Sequence, residues 1–216
     1  GETPLIVKQK DTGKFYRNGK IKYVWPAMMP DRWRDDGGAW YGNTASFIME
    51  RITVRISASA VNAAYVLVMI LDDVGTKSKI PSLKPTWIME TSPGNFQYGY
   101  VFRIQPTTSV FSAAIIAIAD AGYTDGGAIN PVRNFRLPGS VNLKPENNRF
   151  RAVLTEFNPE IDYTVEEICA ALNVVPAEAN TATIRKLNLV DDGKDDVLAW
   201  LKERGDLVEG RNPEGW

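Results

Sequence analysis

The apolar positions change their period several times along this chain, and each period predicts an element. In residues 14–25, KFYRNGKIKYVW, apolar and basic residues alternate on either side of Asn18-Gly19, the pattern of a β-hairpin with a two-residue turn. After a loop rich in Gly, Asp and Trp (DRWRDDGGAWYG), Asn43 or Thr44 is placed to cap a helix through ASFIMERI, and the VRIS that follows reads equally well as helix or strand. Residues 65–71 form an apolar run of strand length that ends in Asp72 and Asp73, just before Gly75.

A second strand, TWIMET at 86–91, leads through Ser92-Pro93-Gly94-Asn95, where Pro and Gly stand as a type II turn requires, into a third. That strand alternates cleanly. Phe96, Tyr98, Tyr100 and Phe102 share a face predicted to be core, and Gln97, Gly99, Val101 and Arg103 share a face suited to a ligand lying across the sheet. SVFSAAIIAIADAG predicts a helix from Ser109 to Gly122. Thr164 and Glu167 form a capping box for a helix at 164–173, and TATIRKL and DDVLAWLKERG predict two more, a small helical piece at the C-terminal end.

The elements describe an α+β fold, a mixed and largely antiparallel sheet backed by helices. A length of 216 residues with 44% apolar composition suffices for one sizeable domain with a small appendage. Gly1-Glu2-Thr3 at the start and GRNPEGW at the end give the chain the look of a piece of something longer.

Composition removes several chemistries. There is no histidine, which excludes Ser-His-Asp and Cys-His catalysis and His-ligated zinc, and leaves carboxylates, Lys, Arg and metal ions. Cys169 is the single cysteine, so no internal disulfide forms; its apolar setting, EICAAL, reads as an inert core thiol. No apolar stretch reaches the roughly 20 residues of a membrane-spanning helix, and the expectation is a soluble, cytoplasmic protein.

Net charge is −1 but uneven: residues 1–151 carry 19 Lys and Arg against 12 Asp and Glu, and residues 152–216 carry 6 against 14. The basic part can attract a polyanion, whereas the acidic part is suited to face another protein or domain.

Asp72 and Asp73 carry the strongest chemical signal. A buried strand has no structural use for charge, and an ionised carboxylate without a partner is costly there, so the pair reads as metal ligands, the alternative being a solvated strand exit. Neighbouring residues of a regular strand point to opposite faces, so both can serve one site only if the strand twists or ends between them. Asp35-Asp36 and Asp191-Asp192 lie in loop sequence and read as ordinary surface carboxylates. The basic loop with Lys77, Lys79 and Lys84, and the hairpin with Lys14, Arg17, Lys20 and Lys22 among Phe15, Tyr16, Tyr23 and Trp25, offer phosphate contacts. For the hairpin, packing of one aromatic face on the core is the competing expectation.

The segment YTDGGAINPVRNFRLPGSVNLK adds Asp125, Arg133, Arg136, Asn142 and Lys144. Asp120, in AIADAG, competes with Asp125 for a third carboxylate role, and Arg133 can equally pair with a carboxylate.

Taken in order, LDDVG, ETSPGNFQ and TDGGAINPVRNFRLPGSVNLK resemble the primase-polymerase domain of the archaeo-eukaryotic primase superfamily, in the type found in plasmid and phage replication proteins and similar to RepB-type primases. The resemblance spans roughly residues 40–150, with RLPGSVNLK and TSPGNFQ its specific parts. It implies an RRM-like catalytic core over residues 1–155, a helical subdomain over 156–216, and fusion to or association with a helicase.

The resemblance further implies template-dependent joining of NTPs or dNTPs on single-stranded DNA with two Mg²⁺ or Mn²⁺ ions. On that mapping Asp72, Asp73 and Asp125 are the catalytic metal ligands, and Asn95, Gln97, Arg136, Asn142 and Lys144 contact the nucleotide. Lys77, Lys79, Lys84 and Arg133 are expected to contact nucleic acid. Many members of the superfamily place a histidine near the nucleotide phosphates; in this chain an Arg, Gln or Asn replaces it, or the nucleotide is handled differently. Two alternatives stand beside this reading: a nuclease using the same carboxylates with water as nucleophile, and a silent module that binds single-stranded DNA.

Overall fold

The computed structural model describes residues 2–48 and 58–177. In chain order the strands are β1 (Glu2–Phe15), β2 (Ile21–Val24), β3 (Ala27–Met28), β4 (Ala39–Ile48), β5 (Ala63–Val66), β6 (Val68–Val74), β7 (Trp87–Ser92), β8 (Asn95–Val101), β9 (Asn134–Arg136) and β10 (Val153–Phe157). Two helices, α1 (Thr108–Asp120) and α2 (Val165–Ala171), complete the set. The fold class is α+β, as the sequence predicts.

The strands form two sheets. One has the order β2-β1-β4-β5, with β3 beside β1 and β9 beside β4; the other has the order β10-β7-β8-β6. All pairings between these strands are antiparallel.

On one face of the second sheet Met69, Leu71, Tyr100 and Phe102 pack against Phe111, Ala114, Ile115 and Ile118 of α1 and Ile168 and Cys169 of α2. Most of these side chains are fully buried, and each of the larger ones contributes about 1.5–3 kcal/mol by leaving water. The aromatic stripe of β8 is thus core, as its alternation predicts. Thr107 caps α1 through its side chain, and Gly122 ends it in the left-handed region (φ 83). The Thr164/Glu167 capping box of α2 is formed in both directions. Burial pushes the Cys169 thiol up to about 11, which fits an inert core residue.

The opposite face of the second sheet buries Val68, Ile70, Trp87 and Met89 and meets the first sheet, where Trp87 stacks on Phe135 of β9 at 5.6 Å. Here the expectation of a ligand lying over Gly99 fails. A Cβ on Gly99 would come within 2.0 Å of the Trp87 indole, so the missing side chain makes room for tryptophan.

The expected helix beginning at Asn43 or Thr44 is instead strand as far as Ile48, with residues 49–57 lying outside the described part. β4 is paired on both edges and covered on both faces, so nearly every residue of it is buried. Asn43 and Thr44 use their side chains on the carbonyls of Val132 (2.9 Å) and Pro131 (2.7 Å) rather than on a helix terminus.

The expected single strand through 65–71 divides at Leu67. β5 belongs to the first sheet and β6 to the second, and the Leu67 N–H donates to Thr44 C=O (2.8 Å) while its C=O accepts from Phe102 N–H (3.0 Å).

The hairpin forms, but with a longer turn. Gly19 N–H donates to Tyr16 C=O at 3.0 Å and Tyr16 N–H to Lys20 C=O at 2.8 Å, with Gly19 left-handed (φ 76). This is a three-residue loop of Arg17, Asn18 and Gly19, another of the common hairpin solutions. Its aromatic residues divide: Phe15 and Tyr16 at the tip are exposed, Tyr23 is half-buried, and Trp25 at the base packs edge-on to the buried Tyr41. The predicted helices TATIRKL and DDVLAWLKERG lie outside the described residues. Among the described residues no helix is long and apolar enough to cross a membrane.

Candidate active site at the end of the second sheet

β6 delivers its two carboxylates to one side by breaking its own alternation. Val68, Ile70 and Asp72 share the face that meets the first sheet, and regular geometry would send Asp73 into the helix-covered core with Met69 and Leu71. Instead Asp73 adopts the left-handed region (φ 56), and the register with β8 shifts between Leu71 and Val74. The Asp73 carbonyl then closes a tight turn by accepting from Thr76, Lys77 and Ser78 N–H groups at 3.0–3.2 Å.

The result is legible on β8. Gln97 Nε2 donates to Asp72 Oδ1 at 3.1 Å and Asn95 Nδ2 donates to Asp73 Oδ1 at 2.9 Å. Asn95 and Gln97 are two residues apart and so share a face, which places both carboxylates on that face. A left-handed non-glycine residue costs roughly 1–2 kcal/mol, and such residues concentrate at functional sites.

Each carboxylate already has a cation. Arg133 Nη2 pairs with Asp72 Oδ2, both side chains being largely buried, and Lys77 Nζ lies 2.6 Å from Asp73 Oδ2. Burial alone would raise the Asp73 carboxyl, but hydrogen bonds from Lys77 and Asn95 and the charges of Lys77 and Lys144 outweigh it and hold the group below its usual value. Among the described residues two buried polar side-chain atoms have no hydrogen-bond partner, and both are here: Gln97 Oε1 and Arg133 Nε.

Thr124 and Ser78 join the site without having been singled out by the sequence. Thr124 Oγ1 accepts from Asp72 N–H at 2.9 Å and Ser78 Oγ donates to Asp72 C=O at 2.8 Å, fixing the Asp72 backbone. The one signal that could have found them is the position of Thr124 beside Asp125.

Asp125 follows Thr124 directly, is exposed, and lies within electrostatic range of Lys77. Among the described residues no three carboxylates converge closely enough to hold a metal ion. Asp120 is exposed at the end of α1.

The other predicted residues divide. Lys144 is exposed and near enough to Asp73 to act on its charge. Arg136 and Asn142 are buried and structurally engaged: Arg136 donates to Val141 C=O (3.0 Å) and stacks on Tyr41 (5.0 Å), and Asn142 donates to Thr91 C=O (3.0 Å). Lys79 is tied to Ala121 C=O (2.7 Å) at the end of α1. Lys84 lies beyond the Trp87 end of β7, remote from the Ser92-Asn95 turn beside Asp73, and its Nζ is 3.8 Å from Glu156 Oε1.

The donor set fits a hard divalent cation: two carboxylates on one face and a buried amide oxygen, all oxygen ligands.

No family model matches the chain, and no curated protein matches it by sequence. Solved structures do. The AEP domain of the cyanophage S-2L primase-polymerase (PrimPol) superposes with a TM-score of 0.56 at 14% identity, covering 79% of this chain and 89% of that one. The catalytic domain of primase RepB′, solved in complex with initiator DNA, superposes with a TM-score of 0.50 at 13% identity, covering 88% and 93%. The two-sheet core that carries Asp72 and Asp73 therefore has the fold of the archaeo-eukaryotic primase-polymerase catalytic domains.

Proposed function

We propose that this chain is the catalytic domain of a template-dependent nucleotidyltransferase, a DNA primase or primase-polymerase of plasmid or phage replication. The observation that carries the proposal is the left-handed Asp73, which sets a second carboxylate beside Asp72 on the face of Asn95 and Gln97. The fold shared with primase-polymerase domains supports it.

Asp72 and Asp73, with Gln97 Oε1, would hold Mg²⁺ or Mn²⁺, and Asp125, exposed on the neighbouring loop, would add negative charge near them. When bound, such ions lower the pKa of the attacking 3′-hydroxyl and neutralise charge on the triphosphate. Lys77 and Lys144, both exposed beside Asp73, are placed to meet triphosphate oxygens. Arg133 holds Asp72 in position and takes the role of the cation beside the phosphates in a chain with no histidine. Gln97 and Asn95 fix the carboxylate rotamers through their amide N–H groups. Single-stranded DNA is the template, and NTPs or dNTPs the substrates.

The test is primer synthesis on single-stranded DNA with labelled nucleotides and Mg²⁺ or Mn²⁺, comparing the chain with an Asp72→Asn, Asp73→Asn double variant. Nucleotide-dependent product that disappears in the variant is the expected result. Strand cleavage without added nucleotides would replace the proposal with a nuclease, and template binding without any product would replace it with a silent module.

A further inference from the structure

β1 outruns the sheet it belongs to. Its residues up to Gln9 pair with β4, whereas Lys10–Phe15 pair with β2, so that residues 10–24 form a two-stranded ribbon projecting from the first sheet. Two-stranded ribbons are marginal in water without an apolar face to bury, yet this one exposes Phe15 (66%), Tyr16 (53%), Val24 (45%) and, at its base, Trp25 (45%). Being consecutive, Phe15 and Tyr16 face opposite sides of the ribbon, and Tyr16 shares its side with Lys22 and Val24, so that side carries large side chains left in water together, the mark of an interaction surface.

The charge identifies the partner. Lys10, Lys14, Arg17, Lys20 and Lys22 are all exposed on the ribbon, against one acidic residue, Asp11, in a chain of net charge −1. Lys22 Nζ lies 5.8 Å from the Tyr16 ring centre, so a cation and an exposed aromatic face are presented together. An apolar protein surface or a second copy of this chain would find five cations to desolvate. A polyanion whose bases stack on aromatic rings is matched by both features.

A line of ring and cation contacts runs from the base of the ribbon toward the carboxylates. Trp25 packs edge-on to Tyr41 at 5.1 Å, the Arg136 guanidinium stacks on the same ring at 5.0 Å, and Arg136 lies within electrostatic range of Asp72. We infer that the β1–β2 ribbon is a docking surface for single-stranded DNA, taking phosphates on its lysines and Arg17, stacking a base on Tyr16 beside Lys22, and guiding the strand toward the Asp72/Asp73 site. This rests on the proposed function in one respect only, the identification of the strand as template.

The experiment measures anisotropy of fluorescein-labelled oligothymidylate, oligouridylate and duplex DNA with the whole chain, across a range of salt and without divalent ions. Tyr16→Ala is expected to weaken oligothymidylate binding about tenfold, stacking being sequence-tolerant and strong. Arg17→Glu with Lys20→Glu, at the exposed tip where folding is not at stake, is expected to weaken it and to flatten the salt dependence by about 0.7 in logarithmic slope for each phosphate that the ribbon no longer neutralises. Asp72→Asn with Asp73→Asn should leave this binding intact. Unchanged affinity in both ribbon variants, equal or tighter binding of duplex or oligouridylate, or an altered oligomeric state with unaltered DNA binding would overturn the inference. Ribbon-dependent binding by a chain that makes no primer would keep the inference and remove the polymerase reading; primer synthesis with ribbon-independent binding would do the reverse.

Discussion

Gln97 donates to Asp72 Oδ1 at 3.1 Å while its own carbonyl oxygen, buried beside that carboxylate, accepts from nothing. An orphaned buried acceptor costs about 1–3 kcal/mol, and at a site of acidic oxygens a cation is the partner that repairs it. Gln97→Met removes the orphan and keeps most of the volume. The expected outcome is thermal stability unchanged or raised by up to about 1 kcal/mol, with weaker Mn²⁺ binding in titration calorimetry. A purely structural glutamine would instead show lost stability and unchanged Mn²⁺ affinity.

Arg133 and Asp72 form an ion pair largely shielded from water. Removing one partner of such a pair leaves an uncompensated charge and costs on the order of 3 kcal/mol. Arg133→Ala should therefore lower the metal-free melting temperature, and Mn²⁺ should restore more stability to the variant than to the parent chain. Equal metal-induced shifts in the two proteins would argue against a shared cation site at Asp72.

The backbone at Asp73 makes a separable demand. Asn tolerates the left-handed region, whereas a β-branched residue does not. Asp73→Asn should stay close to the parent in denaturant midpoint, and Asp73→Val should lose roughly 1–2 kcal/mol beyond it. Both should be inactive in primer synthesis, which separates the conformational role of this position from its carboxylate.

At Gly99 the constraint is steric. Gly99→Ala drives a methyl into the Trp87 indole and is expected to cost about 1–3 kcal/mol. Trp87→Leu, destabilising alone, should cost less in the Gly99→Ala background, and a double-mutant cycle in urea measures that coupling.

Asp36 predicts a pH dependence. Hydrogen bonds from Lys8 and then Trp40 draw its carboxyl down to about 2, well below the value of about 3.9 expected in the unfolded chain. Its contribution is therefore complete above about pH 3.9 and is lost as pH falls through about 2. The difference in melting temperature between the parent and Asp36→Asn should be flat above about pH 5 and shrink between about pH 4 and pH 2.

Much of the second sheet was legible because its strands obey one rule at a time. β8 alternates cleanly, and the Pro93-Gly94 turn, the Gly122 end of α1 and the Thr164/Glu167 box of α2 carry their own local chemistry, whereas the Thr107 cap of α1 went unread. β4 misled because a strand buried on both faces shows no alternation, and Asn43 and Thr44 look like caps when their real partners are carbonyls almost ninety residues away. The break at Leu67 was hidden for a similar reason, since the apolar run is equally suited to either sheet.

In the candidate site Asp72 and Asp73 stood out as charges ending an apolar run, whereas Asn95 and Gln97 came from the resemblance to primase-polymerase domains, Gln97 also lying on the polar face of an alternating strand. The ion pair of Arg133 with Asp72 could be named only as an alternative, and Arg136 and Asn142 looked functional because a dense polar loop gives no sign of which side chains turn inward.

Leu67 belongs to both sheets through a single residue, its N–H bonded into the first and its C=O into the second. Neither sheet can slide on the other without breaking one of those bonds, and the candidate site draws Asp72 and Gln97 from one sheet and Arg133 from the segment leading into β9 of the other. The two sheets should therefore unfold in one cooperative transition, with amide exchange at Leu67 and Phe102 among the slowest in the chain. Any motion that opens the site must then come from side chains and loops, on a frame that stays locked.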